Sequence, residues 1–240
     1  MKQFTARIST IKQVSPETYI VTFSLGDDTL DFIPGQYMIM KIPQEGKVVN
    51  RLYSIASSNN EHHTFELFIK RVEGGVGSLF LTTSPIGTPV ECVGPAGLFT
   101  LRDTPLNKVF MTTGTGFAPV RSFLQSLTAN PSQKWLLLWG DPKLQDVGLM
   151  DELVALQNKL PSFSFYACLS REEGLASIPA QFRNNVRLGR INAVFDTIKP
   201  ALDVSQSEFY LCGSRAVVEG MRTYLSSLGL PPERVIFEKY

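Results

Sequence analysis

Residues 108–127 read KVFMTTGTGFAPVRSFLQSL. An apolar run, Lys108 to Thr112, breaks at Gly114-Thr115-Gly116. Apolar residues then recur at helical spacing: Phe117, Val120, Phe123, Leu124 and Leu127. An unalternated apolar run reads as a strand covered on both faces. A glycine turn between strand and helix leaves free N–H groups where an anion can bind. Further along, Lys134–Trp139, Phe163–Leu169, Glu208–Leu211 and Val235–Phe237 read as strands, and Leu149–Leu160 and Ala216–Leu228 as helices. This alternation predicts a parallel sheet with helices on both faces, a Rossmann-like α/β domain. The turn departs from G-x-G-x-x-G because Pro119 holds the third glycine position. Cys212-Gly213 ends a later strand at the carboxyl edge of the sheet, where ligands of open α/β sheets bind.

Toward the N-terminus the period changes. Phe4–Ile8, Tyr19–Phe23, Gln36–Ile42, Leu52–Ala56 and Thr64–Lys70 are short strand patterns. They are broken by Gly26-Asp27-Asp28, Pro34-Gly35, Ser57 to Asn60 and Gly74-Gly75. Strands of this length and spacing predict an antiparallel barrel or sandwich. The boundary falls near Asp103-Thr104-Pro105, giving domains at 1–102 and 103–240. The 240 residues are 43% hydrophobic and 19% charged with net charge +1, so no broad field points to nucleic acid or a membrane surface. Trp135–Trp139 is too short to cross a bilayer, and the N-terminal MKQFTARISTIKQV lacks the apolar core of a signal peptide. Cys92, Cys168 and Cys212 are scattered, without cluster-binding spacing, so a cytoplasmic chain with reduced thiols is expected, and any iron–sulfur partner would be a separate chain. His62-His63 reads as a hairpin tip, Trp135 and Trp139 as core, and Asp141 as a loop or cap residue.

Three N-terminal segments carry chemistry. In Arg51-Leu52-Tyr53-Ser54, strand geometry puts Arg51 and Tyr53 on one face and Leu52 and Ser54 on the other. A flavin dinucleotide needs a cation for its pyrophosphate, an aromatic surface for its ring and a hydrogen-bonding group near N5; these residues supply them in that order. Gly74-Gly75-Val76-Gly77-Ser78 lets backbone approach a phosphate closely. Gly94-Pro95-Ala96-Gly97-Leu98-Phe99 is a rigid turn that closes the half.

In order, these segments resemble the ferredoxin–NADP reductase family. The resemblance runs from Pro34-Gly35-Gln36-Tyr37 through the segments above and Ser170-Arg171 to Phe237-Glu238-Lys239-Tyr240. It implies an FAD-binding antiparallel barrel followed by an NAD(P)-binding α/β domain. It implies that Arg51 binds FAD phosphate, Tyr53 stacks on the ring and Ser54 lies near N5. Cofactor contacts would extend to Leu52, to Phe68, Ile69 and Lys70, and to Gly75, Val76, Gly77 and Ser78. Gly114, Thr115, Gly116 and Pro119 would take the nucleotide pyrophosphate, with Ser170 and Arg171 at the 2′-phosphate. Thr115 would lie close to the nicotinamide and Cys212 beside its C4, with Gly213 also at the cofactor, Glu238 near the reacting rings and Tyr240 over the flavin. Ser54, Cys212, Glu238 and Tyr240 are thus the expected catalytic set, with no metal.

One departure matters. Ser170-Arg171 is followed by Glu172-Glu173-Gly174, which weakens a phosphate clamp, although Arg183, Arg187 and Arg190 lie downstream. The donor stays open as NADPH or NADH. The expected mechanism passes hydride from nicotinamide to flavin across a cleft between the domains, then electrons to a separate ferredoxin, flavodoxin or oxygenase component. A reductase of free flavin, quinone or ferric complexes, and an electron-transfer subunit of a larger complex, are the alternatives.

Overall fold

The computed structural model describes residues 1–127 and 131–240. The chain forms two compact units, Met1–Arg102 with Ala118–Leu127, and Asp103–Phe117 with Thr128–Tyr240.

In the first unit, β1 (Lys2–Gln13), β2 (Thr18–Ser24), β3 (Tyr37–Gln44), β4 (Lys47–Ser54), β5 (Thr64–Lys70) and β6 (Pro89–Ala96) form one antiparallel sheet in the order β4-β3-β6-β1-β2-β5. A single bridge between Ile55, just after β4, and Leu67 of β5 joins the two ends of that order and curls the sheet into a barrel. Alternation decides what faces in: Met38, Met40 and Ile42 of β3 are buried, as are Val21 and Phe23 of β2. Phe23 and Phe65 stack inside, centroids 4.9 Å apart. Helix α1 (Val76–Thr83) follows β5, and all but the first residue of α2 (Phe117–Gln125) belongs to this unit. The sequence reading missed β6, whose period-2 burial of Val90 and Cys92 is framed by Pro89 and Pro95.

The His62-His63 segment lies in the loop between β4 and β5, whose facing ends the antiparallel Ile55–Leu67 bridge joins. Its imidazoles reach another loop: His62 Nδ1 lies 3.0 Å from Asp31 Oδ1, and His63 Nδ1 3.0 Å from the Asp28 carbonyl. Among the described residues no group of three side chains is placed to hold a metal.

In the second unit, β7 (Asn107–Thr113), β8 (Trp135–Asp141), β9 (Phe163–Leu169), β10 (Val186–Leu188), β11 (Ser207–Gly213) and β12 (Val235–Lys239) are all parallel, in the order β10-β9-β8-β7-β11-β12. Helices α3 (Leu144–Val147), α4 (Met150–Lys159), α5 (Ile191–Ile198) and α6 (Arg215–Ser227) connect them. The chain steps outward from β7 to β10, then returns to the other side of β7 with β11. The switch point therefore lies between the carboxyl ends of β7 and β11, where such sheets bind ligands. At the opposite ends of the same strands Lys108 and Glu208 face each other, Nζ to Oε2 2.7 Å, with side chains 4% and 3% exposed. Among the described residues no helix is long and apolar enough to cross a membrane.

Candidate functional site: two nucleotide cradles

In the first unit, the β4 motif and the α1 start come together at Gly77. A Cβ there would stand 2.7 Å from the Tyr53 hydroxyl and 2.8 Å from Arg51 Cγ, so only glycine lets the helix backbone lie against both side chains. Gly75 caps α1 without a side-chain bond and the first turn carries no acid, so its N–H groups and the exposed Arg51 present positive potential on one side of the loop. Ser78 fixes the loop: its hydroxyl donates to the Gly75 carbonyl (3.1 Å) and accepts the Val72 N–H (3.1 Å). The half-buried Tyr53 ring packs on the barrel core, and burial pushes its phenol above the ordinary value despite the Arg51 charge. These features fit a dinucleotide pyrophosphate with a ring system beyond it: a cation, free N–H groups, an aromatic wall and a backbone that no side chain keeps away.

In the second unit, Gly116 lies so close to the Cys212 carbonyl and the Gly213 nitrogen that no Cβ fits. That contact brings the glycine turn after β7 onto the end of β11, at the switch point. Trp139 Nε1 donates to the Gly114 carbonyl (3.1 Å) and its ring stacks on Phe117 at 4.2 Å, so this tryptophan shapes the turn as well as filling the core. Cys212 pairs in register with Glu238, and Tyr240 follows two residues later. The thiol is fully buried; burial, then the Glu238 charge, push its pKa well above the usual thiol range. It is a protonated packing group, not a nucleophile. Tyr240 is not frayed. Its N–H donates to the Gly213 carbonyl (3.3 Å), and its carbonyl accepts the Arg215 N–H (3.3 Å). Its hydroxyl lies 3.2 Å from Thr115 Oγ1 and donates to the Thr113 carbonyl (3.3 Å).

A cavity of about 610 Å³ opens at this edge, lined among others by Thr113, Gly114, Asp141, Ser170, Arg190 and Tyr224. Its size suits a nucleotide. Asp141, read as a loop or cap residue, is the last residue of β8 and faces this cavity.

The surroundings of several expected contact residues limit what each could offer. Phe68 and Ile69 are 4% and 1% exposed, so their side chains pack inward, and the exposed Lys70 pairs with Glu17 at 3.0 Å. The outer main-chain edge of β5 beyond Leu67 is left to a cofactor, since the Ile55 bridge and the Ala56 and Ser57 contacts occupy its start. Pro119 is buried in the first turn of α2 and has no N–H to give a phosphate. Ser170 lines the cavity and Arg171 does not. Among the downstream arginines, Arg183 donates to the Ile178 carbonyl and Arg187 lies over the Tyr166 ring, whereas Arg190, at the start of α5, lines the cavity. The sequence reading overlooked α5, although Ile191, Val194, Phe195 and Ile198 carry helical spacing.

The family model of an oxidoreductase FAD-binding domain matches residues 5–101, and that of an oxidoreductase NAD-binding domain matches residues 110–223. A ferredoxin–NADP reductase B of Sorangium cellulosum is 32% identical over 242 residues, covering 99% of this chain and 97% of the relative. The electron transfer component of a Pseudomonas putida toluate 1,2-dioxygenase is 29% identical; this chain spans 67% of its length. The crystal structure of an Amycolatopsis cytochrome P450 reductase superposes with a TM-score of 0.86 at 27% identity, over 99% of this chain and 69% of that one. With both cradles in the family's order, the chain belongs to the ferredoxin–NADP reductase family, oxidoreductases that pass electrons between NAD(P)H, FAD and an acceptor.

Proposed function

We propose that this chain takes electrons from NADPH or NADH onto its FAD and delivers them to a separate acceptor protein, a ferredoxin, a flavodoxin or an oxygenase component. The observation that carries the reading is the Gly77 contact with Arg51 and Tyr53, which builds a cation, an aromatic wall and a helix start into one cradle. Bound FAD supplies the exchange between two-electron hydride and single electrons. The protein's own work is positioning. Arg51 and the N–H groups of Val76 to Ser78 would hold the flavin pyrophosphate, Tyr53 would back the ring, and Ser54 would set the ring edge with its hydroxyl. The Gly114–Gly116 N–H groups hold the nucleotide pyrophosphate. Once Tyr240 moves aside, Cys212 would bound the space for the nicotinamide, its thiol kept protonated by burial and by Glu238. Tyr240 occupies the mouth of the turn beside Thr115 and yields to the incoming nicotinamide.

A protein acceptor is supported by the names of the relatives: a ferredoxin–NADP reductase, a dioxygenase electron transfer component and a cytochrome P450 reductase. Three free, buried cysteines fit a reducing compartment, and we place the chain in the cytoplasm. The test is steady-state turnover with NADPH and NADH against ferredoxin, flavodoxin, free flavin and ferricyanide. The protein should purify yellow with FAD and turn over fastest with a protein acceptor. A higher rate with free flavin would make it a small-molecule reductase, and stable copurification with a second chain would make it a subunit. Colourless protein that takes up neither FAD nor FMN would overturn the flavin site.

A further inference from the structure

The segment that leaves the sheet after Ser54 is held group by group. The Ile55 N–H donates to the Gln36 carbonyl (2.9 Å) and the Ala56 N–H to the Glu66 carbonyl (2.8 Å). The Ala56 carbonyl accepts from Arg121 Nη1 (2.9 Å) and the Ser57 carbonyl from the Ser122 hydroxyl (2.6 Å). Ser57 Oγ accepts the Glu66 N–H (3.0 Å), and the Asn59 N–H donates to Ser126 Oγ (3.1 Å). Three of these partners, Arg121, Ser122 and Ser126, come from α2 and the residue that follows it. Arg121 is 5% exposed, and its Nη1 also meets Glu66 Oε2 at 2.6 Å. Burying an ion pair gives little net stability compared with apolar residues of the same volume, so stability alone does not account for a guanidinium here. What a guanidinium does better than an apolar side chain is fix direction, because its donors lie in a rigid plane.

We propose that Arg121 is a positioning residue for Ser54. By gripping the Ala56 carbonyl and Glu66 together it fixes the exit of β4, two residues after Ser54, and so fixes the Ser54 hydroxyl against the flavin edge. This rests on the assignment of Ser54 to the flavin. No other charged side chain is placed on the Ala56 carbonyl by the described contacts, and no apolar residue at 121 can replace the donor.

The test uses the holoprotein and four variants. Arg121→Met should keep FAD and leave KM for the nicotinamide donor within about twofold, while anaerobic flavin reduction at saturating donor slows about tenfold or more. The visible circular dichroism of the bound flavin should change with it. Arg121→Lys should restore part of both signals, since an ammonium still offers donors to Ala56 and Glu66. Leu124→Ala, a buried truncation in the same helix, should lower the thermal midpoint and leave flavin dichroism and reduction rate as in the wild type. Arg121→Met behaving like Leu124→Ala would overturn the proposal. If Arg121→Met does not fold, Ser122→Ala, which removes only the bond to Ser57, is judged by the same two signals, and no change in either overturns it. A wild-type protein that binds no flavin would instead defeat the cofactor assignment. Amide exchange in the flavin-free protein then decides the grip itself: Arg121→Met must speed exchange at Ile55 and Ala56, and unchanged protection there refutes it.

Discussion

Replacing Lys108 with methionine should weaken the second unit, by an amount that falls with pH. Lys108 Nζ lies 2.7 Å from Glu208 Oε2, both side chains almost fully buried. At an effective dielectric of about 20 that separation is worth roughly 6 kcal/mol of attraction, most of it offset by the cost of drying two ions. Removing one partner is a different matter: it strands the other charge, at about 3–5 kcal/mol. Tyr210 still donates to Glu208 Oε2 at 3.1 Å, so we expect the lower end, about 3 kcal/mol. In the wild type, burial pushes the Glu208 carboxyl up, but the hydrogen bond and charge of Lys108, with bonds from Tyr210 and Thr104, hold it below its ordinary 4.5. That contribution is present above pH 4.5 and lost as pH falls through the lowered value. Without Lys108 the folded value rises above the unfolded one. The penalty is then full at high pH and disappears as the carboxyl takes up a proton. Both tryptophans, Trp135 and Trp139, lie on β8, so their fluorescence reports this unit during urea unfolding. We expect a loss of about 3 kcal/mol at pH 8, clearly less near pH 5.5, and most of it recovered in Lys108→Met with Glu208→Met. A loss under about 1 kcal/mol at pH 8, or one equal at both pH values, would refute the reasoning.

Arg51→Ala should weaken FAD binding by roughly 1.5–3 kcal/mol, a rise in Kd of about 10- to 150-fold by flavin fluorescence, because a charge-assisted phosphate contact goes; an unchanged Kd would remove Arg51 from the phosphate. Arg190→Ala should raise KM for NADPH more than for NADH, and Arg171→Ala should do so less, since Arg190 lines the cavity and Arg171 does not. The reverse order in steady-state kinetics would return the 2′-phosphate to Arg171. Tyr240→Ser should tighten binding of oxidised nucleotide in difference titrations, because the Tyr240 hydroxyl now sits on Thr115 and Thr113 at the turn. Unchanged affinity would show that Tyr240 does not compete with the nicotinamide.

The two periods and the glycine turns were legible because they are local. Strand alternation, the apolar run of β7 and the Gly114-Thr115-Gly116 break each depend on neighbours within a turn or two of chain. What those segments touch was not legible. Gly77 and Arg51 are far apart in the sequence, and only the folded barrel lays one on the other. The grip of Arg121 on Ala56 spans 65 residues, and within α2 this arginine reads as one more polar position between apolar ones. Trp139 reads as core, which it is, but its Nε1 bond to Gly114 does not follow from an apolar run.

The segment expected to meet the 2′-phosphate shows the limit most sharply. The run Arg171-Glu172-Glu173 reads as a cation blunted by two acids. In the fold, one of those acids is spent on main chain: Glu172 Oε2 accepts the Leu144 N–H at 3.0 Å, and its other oxygen takes the Ser177 hydroxyl. Counting charge along a sequence assigns a carboxylate to its neighbours, but a nearby backbone amide or hydroxyl claims it first when the loop closes. The cavity cation comes from elsewhere. β10 pairs with β9 through Val186 opposite Ala167 and Leu188 opposite Leu169, which sets the start of α5 beside the carboxyl edge and places Arg190 there. A three-residue strand with a glycine after it gives almost no signal of its own, so the position of Arg190 depends on a pairing that the sequence does not announce.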